Sequence, residues 1–169
     1  KQTMAFDAFL KFSDKELAGE ATHAAHEGEI EIYSFSFGAS NPTSIGPGSS
    51  GASSGRASLS SFNIMKKTEK SSPLLFQKCA AGEHIDSAIV TLNKSGGTGK
   101  ESEPFLTYKF TGCFIESIQW SGSQGGDDTP TESLSLAFSK VEIKYQKQSP
   151  TGSVGEPVIG TWDITRNAP

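Results

Sequence analysis

The stretch PFLTYKFTGCFIESIQW, residues 104–120, decides the fold of this 169-residue chain. Its apolar and polar residues alternate with the two-residue period of a half-buried β-strand. Leu106, Tyr108 and Phe110 occupy even positions, Cys113 and Ile115 odd ones, and Ile118 and Trp120 even ones again. Each change of phase turns the later side chains to the other face, so the strand must contain a bulge or a break. Gly112 stands at the first change, where its missing Cβ eases a sharp bend.

A second long run, residues 132–145, changes phase in the same way, with Leu134 on an even position and Val141 on an odd one. Bent long strands are what a closed or nearly closed barrel needs, whereas a flat sheet needs none. The remaining strand-like runs are shorter and cover residues 6–12, 29–38, 56–65, 84–94 and 158–165. The sequence therefore predicts a mainly β fold, a bent-strand β-barrel of two packed antiparallel sheets.

One segment, residues 73–81, has the features of a short α-helix that flanks the barrel. Ser72 is suited to cap it, Pro73 to its first turn and Gly82 to a left-handed exit. A helix of this length is marginal alone, so it must pack on the barrel or on another subunit. The residues predicted for such an inter-subunit contact are Leu75, Phe76 and Cys79.

Residues 39–55 form a low-complexity stretch rich in Gly, Ser and Pro between the second and third predicted strands. It is long for a hairpin connection, and loops of this length without structure of their own are usually functional or disordered. Ile45 is its lone large apolar residue and could anchor it against a neighbour. We therefore expect a long flexible loop here.

Composition limits the function. The formal net charge of −4, from 15 basic and 19 acidic residues, gives no reason to expect a nucleic-acid partner. The only adjacent basic pair, Lys66 and Lys67, is read as a solvated face. No apolar run is long enough to span a bilayer, and no signal peptide is recognised. Cys79 and Cys113 are read as small buried hydrophobes of a protein made in a reducing cytoplasm.

The sequence has no convincing catalytic, metal or cofactor site. His23 and His26 lack a third ligand and are read as solvated loop histidines, and His84 as a capping or interface residue. The glycines after residue 50 open a strand instead of a helix, so they do not form a phosphate-binding loop. Paired acids at Asp127 and Asp128 are too few for calcium. The sequence thus predicts a protein that is not an enzyme and has no cofactor.

Several blocks together resemble the Hcp (haemolysin-coregulated protein) family of type VI secretion, in family order along nearly the whole chain. No single block is specific. The family usually carries Trp where this chain has Phe35 and Phe37, a change that keeps the alternation. The matching blocks are MAFDAFLKF at 4–12, GE at 19–20 with His23, EIEI at 29–32, SFSFG at 34–38, EKSSPL at 69–74, CAAGEH at 79–84, KSGG at 94–97, the Gly-rich acidic turn at 122–128, the strand at 134–145 and GTWDI at 160–164.

The resemblance implies six subunits in a ring around an open lumen, with rings stacked into a tube. The tube is expelled by a contractile sheath behind a spike, leaves the cell whole without a cleaved signal peptide, and carries small effectors in its lumen. By position, Ser36 matches a lumen-facing residue, and Ser34 shares its face. The loop implied in ring stacking includes Ser44, Ile45, Gly46, Pro47, Gly48, Ser49, Ser50 and Gly51.

Two other readings stay open at this stage. One is a free β-barrel ligand-binding module, lectin-like, without ring assembly; the other is an enzyme that uses dispersed residues. Residues 4–167 are expected to form a single Hcp-like β-barrel domain. Residues 1–3, ahead of Met4, are read as a possible remnant of expression.

Overall fold

The main secondary structure of this chain is the antiparallel β-strand. The computed structural model describes residues 6–44, 53–94, 104–126, 128–149 and 153–169. A 3₁₀ helix spans Lys15–Leu17 and an α-helix, α1, spans Ser72–Ala81. The strands are β1 (Phe6–Phe12), β2 (Ile30–Ile32), β3 (Ser34–Ser36), β4 (Ala39–Ser40), β5 (Thr43–Ser44), β6 (Ser53–Ser54), β7 (Ser58–Leu59), β8 (Phe62–Lys67), β9 (His84–Lys94), β10 (Leu106–Ser121), β11 (Thr131–Ala137), β12 (Lys140–Tyr145) and β13 (Val158–Asp163).

The main sheet forks along β10. One edge of β10 pairs with β9, while its other edge pairs first with β12 and then with β11. The fork gives two packed antiparallel layers: the first sheet is β13-β12-β10-β9-β1-β2, and the second sheet is β10-β11-β8-β3. The sheet does not close into a barrel, because the strands at the two ends of its pairing order, β2 and β3, do not pair with each other. In sequence these two strands are separated only by Tyr33. The predicted mainly β fold of bent strands with one flanking helix is confirmed.

Both predicted phase changes in β10 exist. Gly112 has φ of +65°, and a Cβ there would collide with the Ser139 side chain. Ser139 holds the bend, because its Oγ donates to the Thr111 carbonyl at 2.8 Å. The second change is a shift in the β10–β11 register between Ile115 and Ser117. These two irregularities let one strand serve both sheets.

The space between the sheets is filled by aromatic and aliphatic side chains. Phe62 and Phe110 are fully buried, with ring centroids 4.9 Å apart. Phe35 stacks on Phe62 from the β3 edge, and Phe138 contacts Phe110 at the fork. Burial of aromatic rings of this size is the main source of stability in such a core.

Two predicted strands are split in the structure. The run 29–38 divides at Tyr33, because its first part pairs with β1 and its second part with β8. The run 132–145 divides between Ala137 and Lys140, where the chain leaves the second sheet for the first. Local alternation does not reveal these breaks fully, because they are caused by a change of partner strand.

The prediction of an unstructured loop over residues 39–55 is wrong in part. Strand β4 pairs with β7 and β5 pairs with β6, which gives an antiparallel arm. The Gly55 amide donates to the Pro42 carbonyl at 2.8 Å between the two short ladders. Backbone hydrogen bonds hold this arm together. Its side chains therefore need not alternate between apolar and polar, and the sequence shows no strand pattern here. Residues 45–52 lie outside the described residues.

Helix α1 packs against β10, as a helix of this length requires. Gly82 takes the predicted left-handed conformation with φ of 64°. Ser72 lies inside the helix and is not its cap; its Oγ accepts from the Glu69 amide at 2.9 Å. Lys78 Nζ lies 2.8 Å from the Asp14 carboxylate, which fastens the helix to the segment after β1.

Candidate functional site

The outer face of the second sheet carries a field of uncharged polar side chains. Because side chains alternate along a strand, the residues between the buried positions of β3, β8, β11 and β10 point away from the core. Two rows cross the four strands in register. They are Ser36, Asn63, Ser135 and Ser117 in one row, and Ser34, Met65, Ser133 and Gln119 in the other. We call these eight residues the neutral face.

Both predicted serines, Ser34 and Ser36, are exposed and lie on the neutral face, while Phe35 and Phe37 point toward the core. The alternation predicted for these four residues is confirmed. Asn63 is fixed within the face, since its Oδ1 accepts from Ser135 Oγ at 2.7 Å. The residues that join the serines on β8, β11 and β10 were not predicted as a site. The alternation of β8 and β11 could have identified their outward positions, but not their pairing with β3.

The outer face of the first sheet has the opposite chemistry. Lys109 of β10 lies opposite Glu142 of β12, and Lys140 and Lys144 flank Glu142 on the same side of β12. Lys11 of β1 reaches this row through Ile89 of β9. We call Lys11, Lys109, Lys140 and Lys144, which share this outer face, the lysine face. Within the ranges that the structure describes, none of these lysines forms an ion pair.

An apolar groove of 410 Å³ lies between the arm and strands β12 and β13. Phe37 and Leu59 line it on the arm side, and Ile143 and Trp162 line it on the sheet side. Arg56 ties the base of the arm to the chain end, donating to the Ile164 carbonyl at 3.3 Å.

Beyond the groove, the core side of the β12–β13 edge remains uncovered. Tyr145 is opposite Val158 in the ladder, and their side chains are 48% and 69% exposed. Val158 shares its face with Gly160 and Trp162 of the groove, whereas Ile159 points to the opposite side. Large apolar side chains that are exposed side by side usually mark an interaction surface.

A buried ion pair connects the second sheet to α1. Lys66 and Glu132 face each other across β8 and β11, and both side chains are fully buried, with Nζ and Oε2 2.6 Å apart. Lys66 also donates to Ser72 Oγ at 3.1 Å, and Glu132 accepts from Trp120 Nε1 at 2.5 Å. The prediction that Lys66 is solvated is wrong, because the period of two that buries Phe62 and Ile64 also turns Lys66 inward.

The three helix residues predicted for a subunit contact lie in different environments. Leu75 is fully buried in the core of its own chain, so the prediction that it contacts a neighbouring subunit is wrong. Cys79 is partly buried against the same core. Phe76 is 52% exposed and packs on the exposed ring of Trp120, with centroids 5.8 Å apart. An inter-subunit role for this side of α1 therefore depends on Phe76 and Trp120.

His26 is buried, so its prediction as a solvated loop residue is wrong. Its ring stacks on Phe9 with centroids 4.3 Å apart, which covers the outer surface of β1. His26 Nδ1 lies 2.8 Å from Glu29 Oε2, and Nε2 lies 2.7 Å from Asn93 Nδ2. His23 is exposed, in agreement with the prediction. The interactions of His26 fasten residues 19–29 to the sheet and suffice to explain its burial.

The environment of Cys113 makes its thiol unreactive. Cys113 is fully buried, and this burial raises the pKa of its thiol to about 12, so it stays protonated at neutral pH. Cys113 matches the prediction of a small buried hydrophobe, and Cys79 matches it in part.

Metal sites and membrane-spanning helices are both absent from the described segments. No group of three or more His, Cys, Asp or Glu side chains is placed to bind a metal. In the same segments, no helix has the length and apolarity to cross a membrane. Asp127, and the predicted loop residues Ile45, Gly46, Pro47, Gly48, Ser49, Ser50 and Gly51, lie outside the described residues, while Ser44 is in β5.

Comparison with known proteins agrees with this architecture. The family model described as "Type VI secretion system effector, Hcp" matches residues 9–145. Protein hcp1 of Pseudomonas aeruginosa is 33% identical over 165 residues, covering 97% of this chain and 98% of that protein.

Two solved structures have the same fold over nearly their whole length. A type six secretion system protein aligns with a TM-score of 0.88 at 28% identity, covering 96% of this chain and 98% of the other. Hcp1 of Salmonella typhimurium aligns with a TM-score of 0.77 at 27% identity, covering 98% and 99%. The forked, bent-strand sheet and these matches together show that this chain belongs to the Hcp family of type VI secretion proteins.

Proposed function

We propose that this chain is a structural subunit of the type VI secretion tube, without enzymatic activity. Six copies form a ring, rings stack into a tube, and the sheath and spike components of the machine drive it out of the cell. The subunit is made in the cytoplasm and secreted without a cleaved signal peptide. It needs no cofactor, nucleic acid or membrane insertion.

The uncovered apolar edge of β12 and β13 carries this proposal. An isolated subunit exposes Tyr145 and Val158 beside the apolar groove, and water contact with this surface is unfavourable. A ring with one rotation axis uses a heterologous contact, in which this edge meets a different surface of the next copy. The side of α1 formed by Phe76 and Trp120 is the second exposed apolar surface that such a contact can use.

The neutral face supports a lumen position for Ser34 and Ser36. Its eight side chains include no charge, so it can contact small effector proteins through hydrogen bonds and the apolar side chain of Met65 without requiring a particular charge on the cargo. We therefore propose that the neutral face lines the lumen and that Ser34 and Ser36 contact cargo.

Light scattering on the purified protein, with particle imaging of the same sample, tests this function. We expect a mass near six times 17.9 kDa and open rings in the images. The ring should persist on dilution to micromolar concentration if the apolar edge is covered in it. A stable monomer at all concentrations would contradict the proposed function.

We expect the arm to act in ring stacking more than in ring closure. Replacement of residues 44–54 by two glycines should leave rings intact while reducing the length of stacked tubes, because it removes the β5–β6 ladder but keeps β4 and β7. An arm of the same length with its sequence scrambled is the control that separates length from sequence. Tube lengths in electron micrographs give the readout, and loss of the rings themselves would contradict this role.

The second candidate is a free ligand-binding module, and the apolar groove favours it. Its 410 Å³ volume is in the range of small-molecule sites, and Trp162 and Phe37 offer apolar contacts. This candidate predicts a monomer that binds a small ligand or glycan in the groove. A glycan array probed with the monomer, together with the mass measurement, distinguishes it from the tube subunit.

A further inference from the structure

We propose that the outward side of helix α1 of one copy packs into the apolar groove and against the β12–β13 edge of the next copy in the ring. This inference rests on the proposed function and adds to it the identity of the two surfaces that meet. A ring with one rotation axis needs two different surfaces on every copy, because each contact is heterologous. The described chain carries one concave and one convex surface that suit such a contact.

The concave surface is the apolar groove with the adjoining edge of β12 and β13. The first sheet is six strands wide, whereas the second sheet is four strands wide and shares β10 with it. Part of the core side of β12 and β13 therefore lies beyond the second sheet, where the arm borders it. The described residues that line the groove include no charged side chain, and the exposed side chain of Val158 extends this surface past the groove.

The convex surface is the outward side of α1, and it is also uncharged. The charged residue of the helix, Lys78, is turned toward Asp14 and Glu83. The outward side of a helix that faces water usually carries charged side chains, so this composition indicates that another surface covers it. The exposed residues of the helix are Pro73, Phe76, Gln77, Ala80 and Ala81.

A fixed aromatic pair stands on this side of α1. The rings of Phe76 and Trp120 contact each other and are both about half exposed. Trp120 Nε1 donates to Glu132 Oε1, and the buried amino group of Lys66 holds Glu132 in turn. Trp120 therefore loses little side-chain freedom when a partner covers it. Tryptophan rings fixed in this way are typical anchors of protein interfaces.

Electrostatic complementarity favours α1 over the other exposed aromatic surfaces. A groove without charges cannot stabilise a charged group that leaves water, so its occupant must be uncharged as well. Each of the other exposed aromatic side chains outside the groove edge has a charged or ionisable neighbour. They are Phe6, opposite Lys94 in the β1–β9 ladder, Tyr33, with Lys67 over its ring, and Phe114, in contact with His84.

Photo-crosslinking of the full-length protein tests this pairing. The photo-crosslinking residue p-benzoylphenylalanine, placed at Val158, should give on irradiation of the rings a covalent dimer of twice 17.9 kDa. Mass spectrometry should locate the link in the tryptic peptide 71–78, which contains Phe76. The reciprocal placement at Phe76 keeps an aromatic ring there and should link to the tryptic peptide 148–166, which contains Val158. Light scattering checks that both variants keep the ring mass.

Ile159 is the matched control position. It follows Val158 on β13 and is also more than half exposed, but its side chain points to the opposite side of the strand. The same photo-crosslinking residue at Ile159 should link to peptide 71–78 with a yield at least about fivefold lower. Intact rings in which the Val158 and Phe76 placements link only to other surfaces would overturn the pairing and leave the proposed function standing. A protein that stays monomeric would overturn both.

An exchange of charges gives a second readout. Val158→Lys alone and Phe76→Glu alone should each dissociate the rings into single subunits, because each buries an unpaired charge at every contact. The double variant places opposite charges together and should restore the hexamer mass at a concentration where the single variants are monomeric. Circular dichroism checks that the fold is unchanged. Rings that persist with either single charge would overturn the pairing.

Discussion

Replacing Lys66 by methionine is expected to lower the free energy of unfolding by about 3–5 kcal/mol. The substitution keeps most of the side-chain volume but leaves Glu132 buried without its cation, with Trp120 Nε1 as the remaining donor to its carboxylate among the described residues. It also removes the donor to Ser72 at the start of α1. Urea unfolding at fixed protein concentration measures the change. For a chain of this size the melting temperature should fall by about 6–20 °C.

Two further variants give this prediction a sharp control. Lys67→Met changes the neighbouring residue, whose side chain is exposed on the other face of β8, and should cost less than about 1 kcal/mol. Lys66→Met combined with Glu132→Gln removes both charges, keeps an acceptor for Trp120, and should recover at least half of the loss. If Lys66→Met and Lys67→Met lower the free energy of unfolding by the same amount, the buried ion pair does not stabilise this fold.

The fold was largely predictable from sequence because its main determinants are local. The phase changes around Gly112 and Ile115 are properties of one continuous stretch, and both are present in β10. The exit of α1 at Gly82 is likewise set by one residue that adopts a positive φ. Local signals of this kind specify where a strand bends and where a helix ends.

Features that depend on pairing were harder to predict. The sequence predicts a solvated Lys66 because nothing near it in sequence shows that Glu132 lies opposite on another strand. The burial of His26 is hidden from the sequence for a similar reason, since its partners Phe9 and Asn93 come from two strands that the sheet brings together. In both cases a buried polar residue is stable because distant groups satisfy it, and sequence spacing does not record them.

The candidate site likewise combines features that local sequence predicts with features that depend on strand pairing. Alternation predicted that Ser34 and Ser36 share an exposed face, and the structure confirms this arrangement. The breadth of the neutral face, four strands wide, follows from the pairing of β3 with β8 and of β8 with β11. The short strands of the arm show no alternation of apolar and polar residues, because backbone hydrogen bonds such as that from Gly55 to Pro42 hold them.

Substitution of Val158 by aspartate is expected to convert rings into single subunits of 17.9 kDa. Val158 is 69% exposed on the core side of β13, the side that continues into the apolar groove. In the proposed ring this side chain is covered by the next copy, so a carboxylate there loses its hydration without a compensating charge. The penalty is paid at each of the six contacts, and even a few kcal/mol per contact exceeds what a moderately stable ring tolerates. Light scattering across a dilution series measures the outcome.

Ile159→Asp provides the contrast that makes the Val158 result interpretable. Ile159 is the next residue on the same strand and is also more than half exposed, but its side chain points to the lysine face. The substitution Ile159→Asp introduces the same charge as Val158→Asp. We expect rings of unchanged mass from this variant, and circular dichroism spectra of both variants like that of the unmodified protein. Disassembly by both substitutions would mean that edge strand β13 fails as a whole. If neither substitution has an effect, the ring contact lies elsewhere, and the exposed pair of Phe76 and Trp120 becomes the next surface to test. Only a difference between two adjacent residues of opposite orientation assigns the contact to the core side of β13.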